Sequence, residues 1–406
     1  MSTTTNSRTK TRDSFNLVRV SPRSTKANLR EYAILDLFCG TGGFSYGFAK
    51  NSKRLRVEAA IDNAAYATAT TAANHPKCHV LHDDIRNIRP NQLAQVVDYQ
   101  QIDLIIGGPP CQGFSSLRPF RSSDEDDPRN GLFENFALYV AKLRPRVFVM
   151  ENVVGLLTFN QGESLLAIER CFNQLGYSTD WRVLNAANFG VPQKRERFIM
   201  IGRRDRGPVR FPIPTHAYTG KGIGYRDKTR MLVGSGDLPP ALTVMDAIGD
   251  LPGVKPGKQA TRYRKKPSTQ YQFERRGSCL ELTNHIATNH NAKLLEVIRY
   301  AGNNINSIPE GMVSSGFSSC YSRLRPNEPA NTITVKFTSP ASSKCIHPLQ
   351  DRAITPREAA RIQSFDDSFH FCGSKTDIAL QIGNAVPPLL GYALAVPVLE
   401  MLDEIE

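Results

Sequence analysis

The sequence of 406 residues contains no C-x-x-C pair. Its eight cysteines, at positions 39, 78, 111, 171, 279, 320, 345 and 372, stand singly, so the spacing of a zinc site is missing and no disulfide framework is suggested. They read as free thiols in a reducing compartment, and no metal is expected. No apolar run approaches the ~20 residues of a membrane span, and the polar N-terminus lacks the apolar core of a secretory signal. Both gaps predict a cytoplasmic protein without a membrane partner. No internal repeat is visible, and no G-x-G-x-x-G follows a strand, which removes the nicotinamide dehydrogenases.

What is present is positive charge, +13 overall and uneven. Residues 1–30 hold seven Lys/Arg and one acid, residues 203–276 hold sixteen Lys/Arg and six acids, and the remainder is close to neutral. Two basic segments on a near-neutral body fit a polyanionic partner, most simply nucleic acid, although a solvated surface explains charge alone equally well. The first 30 residues have few large apolar side chains to offset the entropy of ordering and read as a disordered basic tail.

The most informative stretch is Asp103–Ser115. The run Leu104-Ile105-Ile106 reads as a buried strand that ends in Gly107-Gly108; Pro109 and Pro110 fix the next turn, and Cys111 sits on the loop beyond. Structural cysteines usually sit within strands or helices, whereas this one follows a strand's C-terminal edge, where open α/β sheets bind ligands. Order begins earlier with a strand over 32–38, then Cys39-Gly40-Thr41-Gly42-Gly43-Phe44-Ser45 and a helix to about 49. Strand, glycine turn and helix N-terminus make a cradle for a carboxylate or phosphate. A second strand over 55–61 ends at Asp62, placed either to hold the ribose hydroxyls of a nucleoside cofactor or to cap a helix over 64–73. Asp83-Asp84-Ile85 follow a short third strand, from which an acid can reach an adenine amino group.

A helix over 132–143 leads into a strand over 146–153 that delivers Glu151. An unpaired carboxylate there is costly to bury and tends to hold its proton, which makes it a proton donor. Helix 163–175 and strand 178–184 continue the alternation. Gln193-Lys194-Arg195-Glu196-Arg197 then places two arginines two residues apart, on one face if the strand period applies, to bridge Glu196 or anchor an anion. After Gly202 the pattern breaks. Residues 203–325 are rich in Pro, Gly, Arg and Lys, with helices only near 243–250 and 290–300, and read as a second, irregular domain. Regularity returns with a strand over 331–335, a helix capped by Thr355 and opened by Pro356, and Gln381–Pro388 before a last apolar helix to about 402.

Together these segments resemble the DNA cytosine-5 methyltransferases from about residue 32 to 402. The resemblance rests on Asp36–Ser45, Gly107–Ser115, Glu151-Asn152-Val153, Gln193–Arg197 and Gly383–Val386, in the family's order. It implies an α/β architecture, a Rossmann-like S-adenosylmethionine-dependent methyltransferase fold with a mixed, mostly parallel sheet. That domain would span 31–202 and be completed by 326–406, with a smaller irregular target-recognition domain at 203–325. The resemblance also implies S-adenosylmethionine as cofactor. Phe38 would pack on its adenine, Gly40, Gly42 and Gly43 would line its methionine, and Asp62 would hold its ribose. Asp84 and Ile85 would reach the adenine, and Pro110, Leu132, Asn384 and Val386 would complete the pocket. Cys39, where Ala or Ser is more frequent, and Asn63, where an apolar or aromatic shelf is usual, depart from the pattern. Double-stranded DNA is the implied partner of a monomer, with contacts from Gln112, Ser115, Gln193, Lys265 and Lys266.

The chemistry accounts for the residue types. Carbon 5 of cytosine is a poor nucleophile until another nucleophile adds at carbon 6, and a thiolate suits that step. Cys111 would take that role, Glu151 would hydrogen-bond or protonate ring N3, and Arg197, with Arg195 behind it, would fix the carbonyl oxygen and lend positive potential. The base must leave the duplex stack, at a cost on the order of a few kcal/mol that groove and phosphate contacts offset. The expected function is sequence-specific DNA cytosine-5 methylation, by the modification partner of a restriction system or a solitary relative. The related transfer-RNA cytosine-5 methyltransferases usually carry Cys-Phe-Thr soon after Glu-Asn-Val; here Val154-Gly155-Leu156-Leu157-Thr158 follows. A non-catalytic DNA-binding relative has no need of Cys111, Glu151 and Arg197 together.

Overall fold

Apolar, largely β-branched runs become the strands of one sheet. The computed structural model describes residues 30–93, 95–97, 102–110, 131–220, 228–313 and 316–405. Within them β1 (Tyr32–Leu37), β2 (Leu55–Asp62), β3 (His79–His82), β4 (Ile102–Gly107) and β5 (Val147–Asn152) run parallel. Next come β6 (Ser178–Asn185), β7 (Gln193–Lys194), β8 (Glu196–Arg203), β9 (Met231–Leu232) and, far downstream, β10 (Ala330–Asn331). β8 inserts antiparallel between β5 and β6, giving the order β3-β2-β1-β4-β5-β8-β6-β9. β7 and β10 form a separate two-stranded parallel ladder.

Every residue of β1 and of β4 is buried, as a central parallel pair covered on both faces requires. One face is covered by α1 (Gly43–Asn51), where Phe44 and Phe48 pack with Leu390, Leu394 and Val398 of a C-terminal helix. After α2 (Ala65–Asn74) and the short α3 (Pro90–Leu93), the other face is covered by α4 (Leu132–Leu143) and α5 (Glu163–Gln174). There Phe148 of β5 and Phe172 of α5 stack with ring centroids 4.2 Å apart. The strand order reverses between β1 and β4, so the crevice above their C-terminal ends is where such a sheet binds ligands. The close approach of these strands requires Gly107, because a Cβ there would lie 2.3 Å from the Leu37 carbonyl oxygen.

A second core is built by α6 (Val244–Ile248), α7 (Gln270–Arg276), the loops around them, α9 (Pro356–Ile362) and α10 (Lys375–Asn384), with α8 (Ala292–Arg299) over a small satellite core. Leu251, Tyr271, Leu324, Ile354 and Phe365 share this core, so it crosses position 325 without a break. Buried ion pairs tie it together. Arg361 reaches Asp367 at 2.6 Å and Asp250 at 3.2 Å, and Arg352 grips both oxygens of Glu358 at 2.8 and 2.7 Å. Glu358 also closes the capping box with Thr355 that opens α9.

α7 was not foreshadowed by its polar sequence; Thr269 caps it by accepting from the Gln272 N–H. The strand expected over 331–335 narrows to Ala330–Asn331. The reason is that the Ile333 N–H goes to the Gln193 side chain (2.8 Å) and the Thr332 hydroxyl to the Lys194 carbonyl (2.9 Å), which draws this chain off the ladder. The chain ends with α11 (Pro388–Glu404). Residues 375–404 are long and apolar enough to cross a membrane by length and composition alone, but they break at Ala385–Pro387 and 61% of the most apolar window is buried in the protein. Residues 31–406 form one compact unit.

Candidate active site

The turn after β1 is built from left-handed backbone: Phe38, Gly40 and Gly42 have φ of 58°, 53° and 70°. Gly42 must be glycine twice over, since its conformation disfavours a side chain and a Cβ would lie 3.1 Å from Thr71 and 3.2 Å from His75. At Gly40 a Cβ would meet nothing within 4 Å, so this backbone borders open space. The turn is held from outside. Asp62 accepts the Gly40 N–H at 2.8 Å and the Ala64 N–H at 2.9 Å, and Thr71 donates to the Gly40 carbonyl at 3.0 Å. Asp62 therefore fixes the glycine turn while each oxygen keeps a further lone pair. The N-cap of α2 is Ala64, not Asp62.

Beneath the turn lies Asp36, 1% exposed, with Oδ2 unpartnered among the described residues. Burial pushes its carboxyl up to about 7, with Ser45 drawing it down and the charge of Asp62 raising it further. Phe38 is half-buried against the first core, Ile85 is fully within that core, and Leu132 opens α4 beside it. Gly43 starts α1 against the Phe365 ring and the Val386 carbonyl, so a Cβ would lie 2.9 and 3.1 Å from them. Arg86 clasps both oxygens of Asp84 at 2.9 and 2.6 Å and holds the carboxyl below its usual range, so an adenine amino group there would share Asp84 with that guanidinium.

At the end of β4 the backbone meets β5. A Cβ on Gly108 would lie 2.9 Å from Glu151 Oε2, and Asn152 donates from Nδ2 to the Pro109 carbonyl at 2.9 Å. Pro110 is exposed. Cys111, Gln112 and Ser115 lie outside the described residues. Glu151 is not the unpaired carboxylate expected: Arg197 Nε stands 2.7 Å from its Oε1, and both side chains are 12% exposed.

The two arginines do not share a face by strand period, because Arg195 falls in the break between β7 and β8. It is buried and donates to the carbonyls of Ile333 (3.2 Å), Gly383 (3.0 Å) and Asn384 (3.5 Å). Burial, and then the charge of Arg197, pull its guanidinium well below its ordinary value, with Glu151 opposing. It therefore acts from behind, tying the C-terminal return to the strand that carries Arg197. Gln193 is also corrected. It is fully buried, its Nε2 donates to Gln363 at 2.7 Å and its Oε1 accepts from Ile333, so it cannot face DNA. Lys265 and Lys266 are exposed. Asn384 is exposed at the end of α10 and Val386 is half-buried.

Of the supporting residues, Thr71, His75 and Gln363 were not singled out from sequence; Asn152 was, within Glu151-Asn152-Val153, though not for its hold on the Pro109 carbonyl. Beside Arg197 lies a cavity of about 240 Å³ lined also by Gly155, Asn185, Lys194, Asn331 and Thr332.

A doubly covered, mostly parallel sheet with a glycine turn over β1 and an acid ending β2 has the build of a nucleoside-cofactor methyltransferase. The chain belongs to the C-5 cytosine-specific DNA methylase family, whose model matches residues 32–399. It is 36% identical over 370 residues to the type II methyltransferase M1.HphI of Haemophilus parahaemolyticus, covering 90% of this chain and 86% of that one. It is 32% identical to M.AgeI of Thalassovita gelatinovora, covering 89% and 97%. Among solved structures, a prophage-encoded E. coli protein described as a DNA modification methyltransferase superposes with a TM-score of 0.70 at 24% identity, over 92% of this chain and all of that one. Spodoptera frugiperda DNMT2 superposes at 0.58 and 15% identity, over 92% and 100%, a likeness of fold. The protein is a DNA cytosine-5 methyltransferase, and its methylation depends on S-adenosylmethionine.

Proposed function

We propose that the protein is the sequence-specific modification enzyme of a restriction-modification system, acting on duplex DNA through a thiolate adduct of Cys111 with a flipped cytosine. The observation that carries the reading is the Glu151–Arg197 pair, 2.7 Å apart and set against Gly108 at the root of the Pro-Pro-Cys loop. A base entering there meets a carboxyl group for N3, a guanidinium for the neighbouring carbonyl oxygen and a cysteine three residues from Gly108. Arg197 stabilises the electron density that the ring gains as the thiolate adds at carbon 6, and Arg195 holds the strand beneath it. Breaking the Glu151–Arg197 contact when the base enters exchanges one charge-assisted bond for two to the ring, which keeps both groups paired.

The cradle fits the cofactor. S-adenosylmethionine carries an ammonium and a sulfonium, and the bare Asp36 oxygen is a buried acceptor that a cation satisfies. Open space at Gly40 admits the methionine chain, Asp62 keeps lone pairs for ribose hydroxyls, and Phe38 offers its ring to the adenine. When bound, the cofactor supplies the methyl group that carbon 5 takes. Loss of the carbon-5 proton and departure of Cys111 then restore the ring.

The relatives named as type II methyltransferases support the restriction-modification reading. Bisulfite sequencing of DNA from cells expressing the chain tests it. The expected result is methylcytosine at one short recurrent sequence. Methylation scattered without a sequence rule, or labelling of transfer RNA in preference to duplex DNA, would refute it.

A further inference from the structure

Lys194 lies between two buried residues, Gln193 and Arg195, yet keeps an accessible ammonium. Its Nζ stands 2.8 Å from Glu328 Oε2, while Arg325 Nη1 stands 2.6 Å from Glu328 Oε1. Lys344, whose Nζ donates to the Asn303 carbonyl at 3.0 Å, lines the same cavity of about 210 Å³. Three cations thus surround one carboxylate. Lys194, then Arg325, hold Glu328 down at about 2, so it stays ionised. Burial, then the charges of Arg325 and Lys194, lower the Lys344 ammonium, with Glu328 opposing.

The cavity adjoins the one beside Arg197, since Lys194 and Asn331 line both. The backbone under Lys194 is fixed by its pairing with Asn331 and by the Thr332 hydroxyl on its carbonyl. Ion pairs this exposed are weak because water screens them, so Glu328 is a replaceable partner.

We propose that this cavity is a seat for a backbone phosphodiester of the target strand beside the flipped cytosine. Lys194, Arg325 and Lys344 hold the phosphate, and Glu328 occupies the cations until DNA arrives. The inference rests on the DNA methylation reading above. A phosphodiester fits because the cavity that holds the cations shares Lys194 and Asn331 with the one lined by Arg197, and the phosphates of a strand flank each of its bases. Such contacts position the strand without reading its sequence.

The test is duplex binding by fluorescence anisotropy across a salt series, with sequences that contain or lack the methylated site. Lys194→Met with Arg325→Met should weaken binding to both duplexes alike and flatten the slope of log K against log salt by roughly 0.9 per lost phosphate contact. Glu328→Gln should do the opposite, tightening low-salt binding and steepening the slope, an outcome that misfolding cannot produce. Inorganic phosphate at constant ionic strength should compete no better than chloride. Unchanged slopes in both variants, or displacement by phosphate alone with the slopes unmoved, would overturn the seat. A wild-type protein that binds no duplex would instead sink the DNA reading on which it rests.

Discussion

Single positions in the cofactor cradle separate two roles that glycine can play. Gly40 and Gly42 both adopt left-handed backbone, so alanine at either costs on the order of 1 kcal/mol of stability from conformation. Only Gly42→Ala also drives a methyl against Thr71 and His75, so it should lose more stability in a thermal melt. Gly40→Ala should melt close to its conformational cost yet lose cofactor affinity, because its methyl enters the open cradle; calorimetric titration with S-adenosylhomocysteine measures this. Asp36 makes a pH prediction. Its folded value is raised from 3.8 to about 7, so the folded state binds the proton more tightly, and stability falls as pH rises between about 4 and 7. Asp36→Asn should remove that fall in the cofactor-free protein, gaining on the order of a few kcal/mol at pH 8 and nothing below pH 4. Parallel melting curves against pH for the two proteins would contradict the burial account. The glycines were legible because such a pattern has few other uses. The state of Asp36 was not, because its cost depends on Ser45 and Asp62 arriving around it.

At the scale of elements, the parallel strands and their helices were readable, since continuous apolar runs ending in Gly, Asp or Glu have one natural place in an α/β sheet. The Gln193–Arg197 segment was less so. Its spacing suggested a strand with two arginines on one face, but the chain breaks at Arg195 and reserves Gln193 for the β7–β10 junction. No local pattern announces a partner as distant as Gln363 or Ile333. Gln193→Leu should therefore destabilise the protein by about 1–3 kcal/mol, by stranding the Ile333 N–H and the Gln363 carbonyl group. Lys265→Ala with Lys266→Ala should leave the melt unchanged, both being exposed, and weaken binding to all duplexes equally if they touch phosphate. Reversed effects, with the glutamine variant stable and the lysine variant unfolding, would show that the two sites had been assigned the wrong way round.

Across the whole molecule, the stretch proposed for catalysis and the irregular basic stretch proposed for recognition belong to one unit. The irregular composition after Gly202 marked the second stretch, but its core could not be bounded from sequence. Arg352, Arg357 and Arg361 look like surface residues of a helix and its approach until Asp250, Glu358 and Asp367 close around them. Because that core continues past 325, exchanging residues 203–325 with those of a relative should move the methylated sequence only when the exchanged segment still packs against α9; a folded, active hybrid that keeps the original site would place specificity elsewhere. Removing residues 1–28 should leave the site unchanged, at most weakening nonspecific binding. The central claim is that Cys111, which follows Pro109-Pro110 in the sequence, attacks the base. Fluorine at carbon 5 of the target cytosine blocks proton loss, so incubation with cofactor should strand the enzyme on its DNA in a complex that survives denaturation. Peptide mass mapping should place the adduct on Cys111, and Cys111→Ser should form none while still binding DNA. An active Cys111→Ser enzyme, or an adduct on any of the other seven cysteines, would contradict the mechanism.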